Sequence, residues 1–145
     1  MKITKTCTAI ALILAAATRV FAADCFDSAA AYHGVNSGVL RAISIKENRR
    51  CDATISKNKN GSVDLGCMQI NSVHLKELST YGVNQQDLLD QCKNIYVGAW
   101  HYKKMILKYG DNWTAVGAYH NEKPVFRDPY AADVYQIWLR YGLYR

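Results

Sequence analysis

Apolar residues recur at intervals of three and four along most of this chain, the spacing that puts them on one face of a helix. Ile95, Ala99, Tyr102 and Ile106 predict the longest helix, over about residues 92–109, with Gly110 ending it. A short helix is expected at residues 26–33, stopped by Gly34. The next is capped by Asn36 or Ser37 and carries Leu40 and Ile43. Further helices are expected at residues 71–78, and from an Asn84 cap to Asp90. Asn112 caps "WTAVGAYHN", with Trp113, Val116 and Ala118 available to a core. Asp128 is expected to cap a last helix near residues 129–141, with Pro129 at its first position. One stretch lacks the helical period: "CDATISKNKNGSVDLGC", residues 51–67. Asn60-Gly61 is a turn signal there, and β-branched residues flank it. The pattern predicts an α+β domain, predominantly helical, with a small β-hairpin or loop insertion near residues 52–66.

One position breaks the pattern. In "LRAISIKENRR", Leu40 and Ile43 mark an apolar stripe, and the next place on it, seven after Leu40, is Glu47. Two readings follow. Either the helix ends and its last turn emerges at the surface, as Asn48, Arg49 and Arg50 suggest, or Glu47 is a partly buried acid with a raised pKa.

The first 22 residues change the charge. "MKITKTCTAIALILAAATRVFA" has a basic start, an apolar run too short to span a bilayer, and Val20 and Ala22 at the −3 and −1 positions of a cleavage site. It reads as a secretory signal peptide, leaving residues 23–145 as one domain in the periplasm. The whole chain has a formal charge of +6; the leader holds Lys2, Lys5 and Arg19 and no acid, so 15 basic residues then face 12 acidic ones, a charge of +3. With no basic stripe, that balance argues against nucleic-acid binding. No segment after the leader is apolar enough to cross a membrane.

Cys25, Cys51, Cys67 and Cys92 remain after cleavage, an even number in an exported chain. Two disulfides are expected, with three connectivities open. No CxxC pair occurs, and His33, His74, His101 and His120 lack metal-ligand spacing, so neither a metal nor a cofactor is expected.

Two other stretches offer chemistry beside Glu47. In "DLGCMQIN", residues 64–71, Gly66 permits close approach of the backbone to a ligand. Gln69 and Asn71 supply amides, and Met68 a soft apolar surface. Amides beside an apolar wall suit a sugar, although an ordinary loop-to-helix junction capped by Asn71 reads equally well. The other stretch is "VGAYHN", residues 116–121.

Taken together and in order, these motifs resemble the soluble lytic transglycosylases, and among them the small exported members that accompany secretion, conjugation and pilus systems. That family carries Glu-Ser at a helix end, here Glu47-Asn48; Gly-Leu-Met-Gln-Ile, here Gly66-Cys67-Met68-Gln69-Ile70; and Ala-Tyr-Asn-Ala-Gly, here Ala118-Tyr119-His120-Asn121-Glu122. Asp24-Cys25, "LLDQC" at 88–92 and "NIYVGAW" at 94–100 extend the likeness over nearly the whole exported chain.

The resemblance implies a lysozyme-like fold. It implies cleavage of the β-1,4 bond between N-acetylmuramic acid and N-acetylglucosamine in peptidoglycan. Glu47 would protonate the leaving oxygen and then deprotonate the muramyl C6 hydroxyl, closing a 1,6-anhydro ring. One acid serving both steps needs a pKa near neutrality. Tyr119 would orient Glu47 by a hydrogen bond. Asn48, Gly66, Met68, Gln69, Asn71, His120 and Asn121 would bind the glycan. The pairing implied is Cys25–Cys92, at family positions, and Cys51–Cys67, an extra pair gained together.

The sequence departs from the family at Asn48, Cys67, His120 and Glu122, and His120 brings a pH-dependent charge to a substrate position. Asp64, seventeen residues after Glu47, occupies the place of a second carboxylate across a hairpin. It is an auxiliary catalytic candidate or a loop residue bonded to backbone. Two rival functions follow: a hydrolytic lysozyme that uses Asp64, and a weakly active wall-binding assembly factor.

Overall fold

The computed structural model describes residues 24–144; the expected leader lies outside the described residues. The chain runs α1 (Cys25–His33), α2 (Ser37–Glu47), β1 (Ile55–Lys57), β2 (Val63–Leu65), β3 (Ile70–Asn71), α3 (Leu75–Leu78), α4 (Gln91–Tyr109), α5 (Trp113–His120) and α6 (Pro124–Arg140). Short 3-10 turns flank α3 and precede α4. This is the helical α+β arrangement that the apolar pattern predicts.

Local chemistry sets the helix ends. The side chains of Asp24, Asn36, Asp90 and Asn112 each accept a backbone N–H in the first turn of α1, α2, α4 and α5. Gly34 closes α1 in the left-handed conformation, φ 62°. In the insertion, β1 pairs antiparallel with β2 across the Asn60-Gly61 turn, Ser56 opposite Asp64.

Three expected elements differ. Residues 71–78 do not form one helix: Ile70 and Asn71 pair with Leu65 and Asp64 as a third strand. A 3-10 turn capped by the Asn71 side chain then leads into α3. The ladder bonds available beside β2 outcompete helix at the start of that segment. Asn84 starts no helix: its Oδ1 accepts the Gln86 and Asp87 N–H groups in the turn that leads into a single 3-10 turn, Asp87–Leu89. The last helix begins at Pro124, not Pro129, which sits inside it. Asn121 Oδ1 accepts the Lys123 N–H at 2.9 Å and turns the chain into the helix. Packing of α6 on α5 offsets the hydrogen bond lost at Pro129. The two helices approach so closely that a Cβ on Gly117 would lie 2.4 Å from the Arg127 carbonyl oxygen.

The core collects Leu40 and Ile43 of α2, Leu65 and Met68 from the sheet and its following turn, Ile95 and Tyr102 of α4, Val116 of α5 and Val134 of α6. Cys25–Cys92 ties α1 to α4, and Cys51–Cys67 closes the segment that carries the hairpin. Closing a loop of that second length is worth about 3 kcal/mol by chain entropy. Asn94, fully buried on α4, grips the turn after β2. Its Oδ1 accepts the Met68 N–H at 2.7 Å, and its Nδ2 donates to the carbonyls of Leu65 and Leu88, each at 2.8 Å.

Candidate active site

Glu47 is the last residue of α2. Helical phase carries it along the Leu40–Ile43 stripe, and α6 packs over that end of α2, so the carboxyl is enclosed rather than emergent. The Tyr130 hydroxyl, from the buried stripe of α6, donates to Glu47 Oε1 at 2.6 Å. Burial pushes the Glu47 pKa up from 4.5 to about 7; the Tyr130 bond and Lys46 act against the rise, and the nearby Asp64 carboxylate adds to it. Of the two readings of Glu47 in the sequence, the partly buried acid is the one observed.

Asp64, on β2, is held by two amides. Asn71 Nδ2 donates to Oδ1 at 2.7 Å and Asn58 Nδ2 to Oδ2 at 2.9 Å, so both oxygens are tethered to the sheet. Glu47 and Asp64 face a groove of about 640 Å³ between the hairpin, with Asn58 and Ser62, and the end of α5, with Tyr119 and His120. A second depression, about 330 Å³, runs along α6 past Phe126 and Pro129. Glu47 and His120 line both.

The match to known sequences decides what kind of protein holds this site: residues 24–125 fit the model of the Transglycosylase SLT domain. The chain belongs to the SLT transglycosylase family. It is similar to the X polypeptide of Escherichia coli, 39% identical over 128 residues, covering 82% of this chain and 76% of that protein. Protein IpgF of Shigella flexneri is 36% identical over 123 residues, covering 81% of both chains. Invasion protein IagB of Salmonella typhimurium is 38% identical over 121 residues, covering 82% of this chain and 76% of that protein. The lysozyme-like architecture of SLT domains accounts for the helical body and the small sheet.

The SLT motifs distribute between the groove and the wall behind it. Gln69, Asn71, His120 and Asn121 line the groove with Glu47, Asp64 and Tyr119. Gly66 and Met68 do not reach it. Met68 is fully buried and packs where Gly98 leaves room on α4, so it presents no apolar surface to a ligand. Gly66 is buried with φ 74°, and its carbonyl accepts the Gln69 side-chain amide at 2.9 Å. A Cβ there would lie 2.4 Å from Asn94 Nδ2, so the glycine serves the approach of α4 rather than of a sugar. Asn48 Nδ2 donates to Asp52 Oδ1 at 3.0 Å and to the Asp52 carbonyl at 3.1 Å, bracing the loop after α2.

Tyr119 is corrected in its contacts. Its hydroxyl donates to the Met68 carbonyl at 2.8 Å, and the bond to Glu47 expected of it is made by Tyr130. Tyr119 is nearly buried, and a buried hydroxyl takes the acceptor that packing places before it. Tyr130 was hidden in the sequence because a helix start at Pro129 puts it in a first turn. In α6, which begins at Pro124, Tyr130 and Val134 are buried and Ile137 partly buried on one stripe at helical spacing, with Tyr130 well inside the helix. Glu122, a departure from the family motif, accepts from the Tyr109 hydroxyl at 2.6 Å and pairs with Lys108, which ties the rim of the groove to α4. His101, which also lines the groove, is held neutral by burial, its pKa pushed down to about 4.

The pKa of Glu47 fixes the sign of a pH dependence. Below about 7 the carboxyl keeps its proton; above it the proton is lost. A cleavage rate that depends on proton donation by Glu47 is therefore expected to fall about tenfold per pH unit above neutrality. A rate profile with its basic limb between pH 4 and 5 would show that the acid keeps an ordinary carboxylate pKa and would overturn the raised value of Glu47.

Proposed function

We propose that this protein is a peptidoglycan lytic transglycosylase. It cleaves the β-1,4 bond between N-acetylmuramic acid and N-acetylglucosamine and leaves a 1,6-anhydromuramyl end. The observation that carries this reading is a partly buried Glu47, proton-bearing near neutrality, at the floor of a groove in an SLT domain. Protonated Glu47 gives its proton to the leaving glycosidic oxygen. The resulting carboxylate takes the C6 hydroxyl proton as that oxygen attacks C1, so no water and no second base are consumed. Asp64, fixed by Asn58 and Asn71, stabilises the positive charge that develops on the sugar ring. Gln69, Asn71 and Asn121 hold the glycan. The protein works in the periplasm after removal of residues 1–22. There it opens the wall locally for an envelope-spanning secretion, conjugation or pilus machine, a role supported by likeness to a relative named as an invasion protein.

Mass analysis of muropeptides released from purified peptidoglycan tests the reading. Anhydromuramyl ends are expected, and free reducing ends would make the enzyme a hydrolase. Asp64→Asn keeps the anhydro product and loses about tenfold to a hundredfold in kcat, because a fixed charge, not a nucleophile, is removed. A switch in product type in that variant, or complete inactivity with the fold intact, would place Asp64 in the bond-making step instead.

A further inference from the structure

We propose that His120 is a positioning residue for the acid: its imidazole closes over the ring of Tyr130 and so keeps the tyrosine hydroxyl on Glu47 and water away from it. The proposal rests on the transglycosylase reading for its kinetic consequence, but not for its structural one. The two rings are parallel to within 4°, with centroids 4.8 Å apart. Tyr130 is 5% exposed, whereas His120, the last residue of α5, is itself exposed. The imidazole is thus the cover and the phenol the covered group. It stands where the main groove and the depression along α6 meet, lining both beside Glu47. The close approach of Gly117 to Arg127 seats α5 against α6 one turn before His120.

The family motif has a short asparagine amide at this position, which is too small to cover an aromatic face. Histidine supplies a flat ring instead. Around it stand Lys46 and Glu47 of α2, Asp64 of β2, and Tyr130 and Asp133 of α6, with Lys46 paired to Asp133 at 2.6 Å. Partial desolvation of the ring under its neighbours and the Lys46 charge lower the His120 pKa against the pull of Asp64, so the ring stacks uncharged near neutrality and adds no cation beside the acid.

Wild type, His120→Ala and His120→Phe are compared in two measurements, with thermal unfolding to confirm that each variant is folded. The first is carbon-13 NMR titration of the Glu47 carboxyl, which needs no activity. Alanine opens the site to water and moves the Glu47 midpoint down by about half a pH unit; phenylalanine, which restores the stacked ring, returns it. The second is cleavage of soluble, uncrosslinked glycan strands. Alanine lowers kcat about five- to tenfold with KM nearly unchanged, and phenylalanine recovers it. A Glu47 midpoint that does not move in the alanine variant overturns the proposal. So does a phenylalanine variant as impaired as alanine, or a rise in KM alone, since either makes the ring nitrogen a substrate contact. A wild-type protein that releases no anhydro product refutes the transglycosylase reading, and the titration then decides the positioning role alone.

Discussion

Glu47→Gln is expected to abolish release of anhydromuramyl products, with a loss of about a thousandfold or more in turnover, while the protein remains folded. Glutamine keeps the volume of the side chain, and its amide oxygen still accepts the Tyr130 hydroxyl, so the geometry around the acid persists. Only the transferable proton is gone. The same substitution carries a second signature. The folded-state pKa of Glu47, about 7, lies above its ordinary 4.5, because ionisation in the enclosed site is unfavourable. Wild-type Glu47 therefore costs nothing where it is neutral in both states, below about pH 4.5. It costs stability progressively as pH rises through 7. Against wild type, Glu47→Gln is accordingly equal in stability near pH 4 and more stable above pH 7, by on the order of 2–3 kcal/mol. Thermal unfolding at pH 4.5 and pH 8 checks this. An inactive variant that is also less stable at pH 8 would make Glu47 a structural carboxylate, not a strained acid.

The second large effect lies away from the groove. Asn94→Ala leaves the Met68 N–H and the Leu65 and Leu88 carbonyls without their partner inside the core. A cost of about 3 kcal/mol is expected, and a fall of about 10 °C in Tm for a domain of this size. The turn from Gly66 to Gln69 is what Asn94 holds, and that turn also positions Gln69 on the groove wall and receives the Tyr119 hydroxyl. Activity at 25 °C is therefore expected to fall as well, although no atom of Asn94 lines the groove. Thermal unfolding by circular dichroism, with the disulfides intact, measures the first effect. A shift of only one or two degrees would show that the three bonds are replaced by water or by relaxation of the turn.

How much of this was legible beforehand depends on the range of the forces involved. The helix caps at Asp24, Asn36, Asp90 and Asn112 and the turn at Asn60-Gly61 are local hydrogen-bonding chemistry, and their residues mark them in the sequence. The misplaced start of α6 shows the limit. A proline next to an aspartate is a good local start signal, but contact with α5 carried the helix past it to Pro124. The resemblance to a family gave Glu47 its expected role and picked out the motif residues, yet it could not say which of them face the groove. Met68 and Gly66 belong to the wall behind it because α4 approaches at Asn94 and Gly98.

The sequence by itself determined the helical α+β class, the acid at the end of an apolar stripe, and the order of the family motifs, since each rests on spacing within a few residues. Tertiary structure alone decided that Tyr130 and not Tyr119 holds the acid, that His120 lies over Tyr130, and that Asn94 binds the turn behind the groove. Glu47 and Tyr130 are 83 residues apart, and Met68 and Asn94 are 26 apart. No periodicity spans such distances; the packing of α6 on α2 and of α4 on the sheet turn brings the partners within hydrogen-bond reach, and burial then forces each polar group to find one.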